Sequence, residues 1–186
     1  RIETDLNMKI IENAIPSYSG RIKAFDFDLG SLLDRSDLGR TSLTADIKGK
    51  GFKVSSLQEQ IKGSIQYLEF KDYKYSNISI DSRLASKVFN GKILINDPNV
   101  NLDFDGKIDL NQSIPAFNFI ASIKNANLLN LKLAKDSIKF DADLNTNFSG
   151  SNLDNIEGSV AINRIHLTNS QNSFDIDSVN LKAVGL

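Results

Sequence analysis

The sequence has no cysteine and no tryptophan, and it holds one histidine, one methionine and three prolines among 186 residues. Without cysteine there are no disulfides, zinc ribbons or thiol nucleophiles. A single imidazole, His166, rules out a multi-histidine metal centre and leaves a Ser-His-Asp triad improbable. No apolar run approaches the roughly 20 residues that a membrane-spanning helix needs. Neither charge sign dominates: 22 Lys and Arg stand against 23 Asp and Glu, a formal net charge of −1. The basic footprint of a nucleic-acid binder is therefore missing. There is also no initiator methionine or signal peptide, and Arg1 falls in mid-pattern, so the chain reads as a piece of a longer protein.

What is present is alternation. Hydrophobic residues make up 40% of the chain, enough for a folded domain, and they recur with period two. Leu43, Ala45 and Ile47 alternate with Thr44 and Asp46. Val100, Leu102 and Phe104 alternate with Asn101 and Asp103. The runs Phe117–Ile123 and Ile138–Leu144 behave alike, and shorter ones lie at Ile61–Tyr67, Ile78–Ile80, Ile93–Ile95, Ile108–Leu110, Val160–Ile162 and Phe174–Ile176. Successive side chains of a strand point to opposite faces, so each run has one apolar and one polar face, as antiparallel sheets do. About 15 strands fit, at one per 10–12 residues. Helical stretches are short: Asp28–Arg35 and Ala126–Leu131. Turns are expected at Asn90-Gly91, Asp97-Pro98-Asn99, Asp105-Gly106 and Ser149-Gly150.

The chain also repeats itself. Ile15-Pro16-Ser17-Tyr18 returns as Ile114-Pro115-Ala116-Phe117, Asp28-Leu29 as Asn127-Leu128, and Lys9-Ile10 as Lys107-Ile108. Ile61-Lys62-Gly63-Ser64-Ile65 returns as Ile156-Glu157-Gly158-Ser159-Val160, and Ile80-Asp81-Ser82 as Ile176-Asp177-Ser178. The pseudo-repeats are 1–99 and 100–186. In both, the apolar parity slips at a matching point: Ile65 and Tyr67 give way to Leu68 and Phe70, and Val160 and Ile162 to Ile165 and Leu167. A shared slip points to a β-bulge or to a turn that changes which face is apolar. No linker-like stretch separates the copies, which favours one continuous sheet.

Residue patterns that carry chemistry are weak. Asp residues at i and i+2, as in Phe25-Asp26-Phe27-Asp28, Asp103-Phe104-Asp105 and Phe174-Asp175-Ile176-Asp177, share a strand face, but they lack the further ligands of a calcium loop. A solvated outer face explains them. Gly49-Lys50-Gly51 lacks the rest of a phosphate loop and reads as a strand bend or turn. Lys48, Lys50 and Lys53 form a small basic cluster balanced by nearby acids. No cofactor and no metal is expected, and the chain reads as non-enzymatic.

The stretch IPSYSGRIKAFDFDLGSLLDRSDLGRTSLTADIKGKGF (Ile15–Phe52) resembles the TamB family, the inner-membrane-anchored component of the translocation and assembly module. FNGKILINDPNVNLDFDGKIDL (Phe89–Leu110) and IPAFNFIASIKNANLLNL (Ile114–Leu131) resemble it too, in an Asn-, Lys- and Ile-rich style similar to Bacteroidetes members. AsmA-like proteins share the architecture. The resemblance implies an elongated all-β antiparallel sheet curled into an open U-shaped groove, a β-taco with an apolar interior and at most one or two short helices. It implies a periplasmic location, in a parent protein anchored to the inner membrane, and a bridge-like role in phospholipid transport between inner and outer membranes. Its partners would be phospholipid acyl chains and, through parts outside this chain, a TamA-type outer-membrane barrel. A chaperone-like groove for nascent outer-membrane β-barrel proteins is the alternative, and a closed repeat sandwich with a dry core is a third reading. Self-association through sheet edges is a further expectation.

The groove lining is expected from one parity of the strands: Leu43, Ala45, Ile47, Ile65, Tyr67, Ile80, Ile93, Ile95, Leu102, Phe104, Phe117, Phe119, Phe140, Leu144, Val160, Ile162 and Ile176. Each buried methylene in such a trough is worth about 0.8 kcal/mol to an acyl chain.

Overall fold

A computed structural model describes residues 1–12, 14–51, 58–150 and 156–184. Among them run eleven strands: β1 (Ile2–Lys9), β2 (Ser17–Asp28), β3 (Leu38–Lys50), β4 (Gln58–Phe70), β5 (Tyr73–Ala85), β6 (Val88–Asp97), β7 (Val100–Asp109), β8 (Ala116–Asn127), β9 (Lys139–Ser149), β10 (Glu157–Thr168) and β11 (Ser173–Ala183). All belong to one antiparallel sheet in sequence order, β1 to β11, and its two edges do not meet. The single helix among the described residues, α1 (Leu29–Leu33), is capped by Asp28, whose carboxylate accepts from Ser31 N at 2.9 Å and Ser31 Oγ at 2.8 Å. This is the all-β antiparallel sheet that the alternation points to, open and consistent with the curled groove that the resemblance implies.

Fewer strands than expected span the chain because they are long, up to 13 residues. Two expected turns are corrected. Asn90-Gly91 lies inside β6 and Asp105-Gly106 inside β7, where Gly91 and Gly106 face each other across the ladder. The Asn-Gly signal reports tolerance of unusual backbone, and here that tolerance serves close strand approach instead of a reversal. The real two-residue turns include Lys71-Asp72, both at positive φ (49° and 61°), the conformation that matches hairpin twist. Ala126–Leu131 is the end of β8 followed by turns, with no helix. Lys53 lies outside the described residues.

Bulges sit where the parity slips. Asp26, Asn77, Asn125 and Arg164 have φ of 47°, 52°, 54° and 49°. The ladders shift register beside three of them, between Ala24 and Phe27, Ile123 and Ala126, and Asn163 and His166. β4 slips against β3 at the same level, with Ser42 opposite Tyr67 but Leu43 opposite Ile65. Each bulge bends its strand and adds local twist.

The repeat coincides with the fold at an offset of 99 in its first part. Pro16 and Pro115 each accept from a glycine N–H, Gly51 and Gly150, both at 2.9 Å. Asp26 N–H donates to Ser42 Oγ at 2.8 Å, and Asn125 N–H to Asp141 Oδ1 at 2.5 Å. Asp28 and Asn127 both accept from the backbone N–H three positions on. The later glycine match is out of register. Gly63 faces Ala45 and Ile80, whereas Gly158 faces Phe148 and Ala183; Ile162 holds the place opposite Leu144 that Gly63 holds opposite Ala45. The drift in sequence offset is therefore a slide along the strand as well as a change in loop length.

Candidate functional site: an apolar trough

Residues directly opposite in an antiparallel ladder share a face, so the register assembles rows that run from edge to edge. One row is Thr4, Ile22, Ala45, Gly63, Ile80, Ile93, Phe104, Ala121, Leu144, Ile162 and Val179. A second on the same face holds Leu6, Gly20, Ile47, Ile61, Ser82, Gly91, Gly106, Phe119, Thr146, Val160 and Leu181. On the other side of the first lie Ile2, Ala24, Leu43, Ile65, Ile78, Ile95, Leu102, Ile123 and Ala142. Next to the second, towards the opposite strand ends, come Met8, Tyr18, Gly49, Glu59, Leu84, Phe89, Ile108, Phe117 and Phe148.

Fifteen of the expected lining residues fall on this one face as members of these rows or, for Phe140, just beyond the β8 bulge opposite Ala126. Ile176 faces the buried Ile165 at the edge. Tyr67 departs. Its hydroxyl donates to Asp26, and the Lys74 ammonium stands 3.6 Å from its ring centroid, which places it among the charges of the polar face. The bulge at its own level turns it away: Ile65 and Leu68 keep the apolar side, and Tyr67 between them does not.

The face is covered in its middle and open at its margins. Phe104 is only 8% exposed, although every described strand belongs to the same sheet. The rings of the adjacent strands, Phe89 and Phe119, pack against it. Toward β11, Leu181 is 59% exposed. Aromatic rings pave the centre: Phe104 lies 5.9 Å from Phe89 and 5.0 Å from Phe119, centroid to centroid, and Phe117 stacks on Phe148 at 4.8 Å. These rings occupy the space left by Gly91 and Gly106.

One rim is closed off. The segment between β8 and β9 folds inward, and Leu131, 2% exposed, joins Val100 and Ala126 under Tyr73, Tyr75, Ile95, Ile123 and Phe140. Beside it, the buried Asp97 accepts from Tyr73 Oη, from Ser76 N at 2.8 Å and Oγ at 2.7 Å, and from Asn99 N at 2.9 Å. Burial pushes the Asp97 carboxyl up, but the hydrogen bonds from Tyr73, Asn99 and Ser76 outweigh it and hold the group below its ordinary value.

The opposite face is charged. Asp5, Arg21, Asp46, Lys62, Asp81, Lys92 and Asp105 form a row of alternating sign. Within it Arg21 pairs with Asp46 at 2.8 Å, Lys62 with Asp81 at 2.9 Å and Lys92 with Asp105 at 3.0 Å. His166 is on this side too, bonded to Asp175 and to Thr168. Among the described residues no group of three potential metal ligands comes together, and no helix is long and apolar enough to cross a membrane.

Sequence reasoning missed Tyr18, Glu59, Leu84 and Phe89 in the row nearest the rim opposite Leu131. Alternation through Phe89, Ile93 and Ile95 was available for Phe89. Glu59 carries no such signal, because a lone acid in an apolar parity looks like a strand end. No family model, no curated protein and no solved structure matches the chain.

Proposed function

We propose that the trough shelters the acyl chains of lipids, as a non-enzymatic segment of a TamB-like bridge for phospholipid transport across the periplasm. One observation carries the reading: among the described residues, a mainly apolar face runs from one edge of the sheet to the other and no second sheet lies over it. Contiguous apolar surface left open marks a ligand or partner site, and the margins of this face, with Met8 and Leu181 exposed, leave it open. A floor made mainly of aliphatic and aromatic side chains suits a methylene chain, which needs no fixed orientation. The resemblance supplies the membrane-to-membrane setting and the TamA-type barrel partner.

Photo-crosslinking tests this. Crosslinkers at Phe104 and Phe140 are expected to capture phospholipid in cells, and those at Asp103 and Asp141 are not. Equal labelling of the two faces would refute the proposal. Among the described residues β1 and β11 each pair on one side, which favours a second reading, in which an unfolded outer-membrane strand adds to the sheet. Crosslinks from β11 to nascent barrel proteins, with none to lipid from Phe104, would select it.

A further inference from the structure

We infer that the cavity at the β1–β5 end of the trough is a seat for an amphiphile whose head is a protonated primary amine, an inference that rests on the acyl-chain reading above. The cavity encloses about 650 Å³, and the row Met8, Tyr18, Gly49, Glu59 and Leu84 runs through its lining. All but one of these are uncharged. Glu59 is the exception, and it belongs by register to the apolar face.

Its carboxylate is held in place. Tyr18, 7% exposed, donates its hydroxyl to Glu59 Oε1 at 2.8 Å. Gly49 lies between the two in the ladder, and a Cβ there would come within 2.6 Å of Glu59 Cγ and 3.0 Å of Tyr18 Oη. The missing side chain thus makes the room that the pair occupies. Among the described residues no Lys or Arg is ion-paired with Glu59; Tyr18 is its hydrogen-bond partner. Lys9, Lys48, Lys50 and Arg83 also border the cavity, but each is next in sequence to a residue of this row, so strand alternation sets their side chains toward the other face, where Lys48 and Arg83 stand beside Lys62 and Asp81.

A carboxylate accepts through both oxygens, so one Tyr18 hydrogen bond leaves most of its capacity unused. In an apolar, poorly screened setting its charge attracts a cation more strongly than it would in water. An ammonium head with an alkyl tail satisfies both features of the cavity, with the head on Glu59 and the tail along Met8 and Leu84. A fatty acid meets like charge there, and an alcohol gains only the tail contacts. The ammonium of an aminophospholipid and that of a free alkylamine present the same chemistry.

The test uses the whole 186-residue chain. Dodecylamine, dodecanol and dodecanoate are titrated by calorimetry at neutral pH, with lipid extraction from phosphatidylethanolamine and phosphatidylglycerol vesicles in parallel. Dodecylamine is expected to bind roughly tenfold more tightly than dodecanoate, and Glu59→Gln to remove that preference while dodecanol binding stays unchanged. A vesicle preference for the ethanolamine lipid, lost in Glu59→Gln, assigns the site to a headgroup; an amine preference without it assigns the site to free amines. Equal binding of all three probes, or a preference that survives Glu59→Gln in a variant with wild-type melting, overturns the amine seat and leaves the acyl-chain reading standing. Failure of all three to bind overturns both.

Discussion

Gly106 on β7 lies directly opposite Phe119 on β8, and a Cβ built on Gly106 would fall 2.3 Å from Phe119 Cβ. The neighbouring Gly91 is packed as closely, with Ser82 Cα at 2.5 Å from its virtual Cβ. Side chains are absent at the points where the strands come closest, and phenylalanine rings fill the gap above them.

Gly106→Val is therefore expected to destabilise the chain by about 1–3 kcal/mol, the usual cost of forcing extra carbon into a packed site. Chemical denaturation measures it. The same change at Gly39, where the near atoms are side-chain atoms of Glu69 and not backbone, is expected to cost less, with loss of the Arg40 N–H to Glu69 hydrogen bond. Equal losses at the two sites would contradict the close-approach account.

Phe104→Arg separates an open trough from a closed core. In an open trough the long arginine stem runs along the apolar floor and its head reaches water. The expected result is a small drop in melting temperature with loss of acyl-chain binding. In a closed core the unpaired charge would unfold the chain. Circular dichroism melting and a fluorescent fatty-acid assay on the same variant read the two effects separately.

Asp97 makes one end of the fold sensitive to acid. Its folded carboxyl is held below the ordinary value. The stability it contributes is fully present above the unfolded value, near 3.9, and is lost as pH falls through the lower folded one. Asp97→Asn is expected to lower stability at neutral pH, because donors from Tyr73, Ser76 and Asn99 lose a charged acceptor, and to flatten the decline below about pH 4. Melting temperature against pH in the two proteins checks both statements.

The sheet edges make association the expected behaviour in solution. On β11 Phe174, Ile176 and Leu181 are exposed, and among the described residues the strand pairs only with β10. Sedimentation is expected to show a concentration-dependent rise in mass that Ile176→Lys with Leu181→Lys suppresses, since edge charges block strand addition. An unchanged rise in that double variant would move the contact to another surface.

Local pattern carried the trough further than it carried the turns. Phe104, Leu144 and Ile162 were legible as one face from alternation alone, because strand parity is a property of neighbouring residues. Gly91 and Gly106 were not legible as strand interior, since Asn-Gly and Asp-Gly favour reversal unless a partner strand holds them extended. Tyr67 fell on the wrong side for the same reason: counting by twos fails at a bulge, and a bulge exists only relative to the adjacent strand. Glu59 was invisible as a trough residue until the register set it beside Tyr18 and Leu84.

By itself, then, the sequence determined the class of structure: antiparallel strands with one greasy face, repeating near 99 residues, without the side chains for thiol or multi-histidine chemistry. Tertiary structure alone decided that the eleven strands among the described residues form one open sheet, that Leu131 covers one rim, and that an acid joins the apolar floor at the other. The reason is physical. Alternation depends on the two faces of a single strand, whereas register, curvature and the meeting of Tyr18 with Glu59 depend on contacts between residues 41 positions apart.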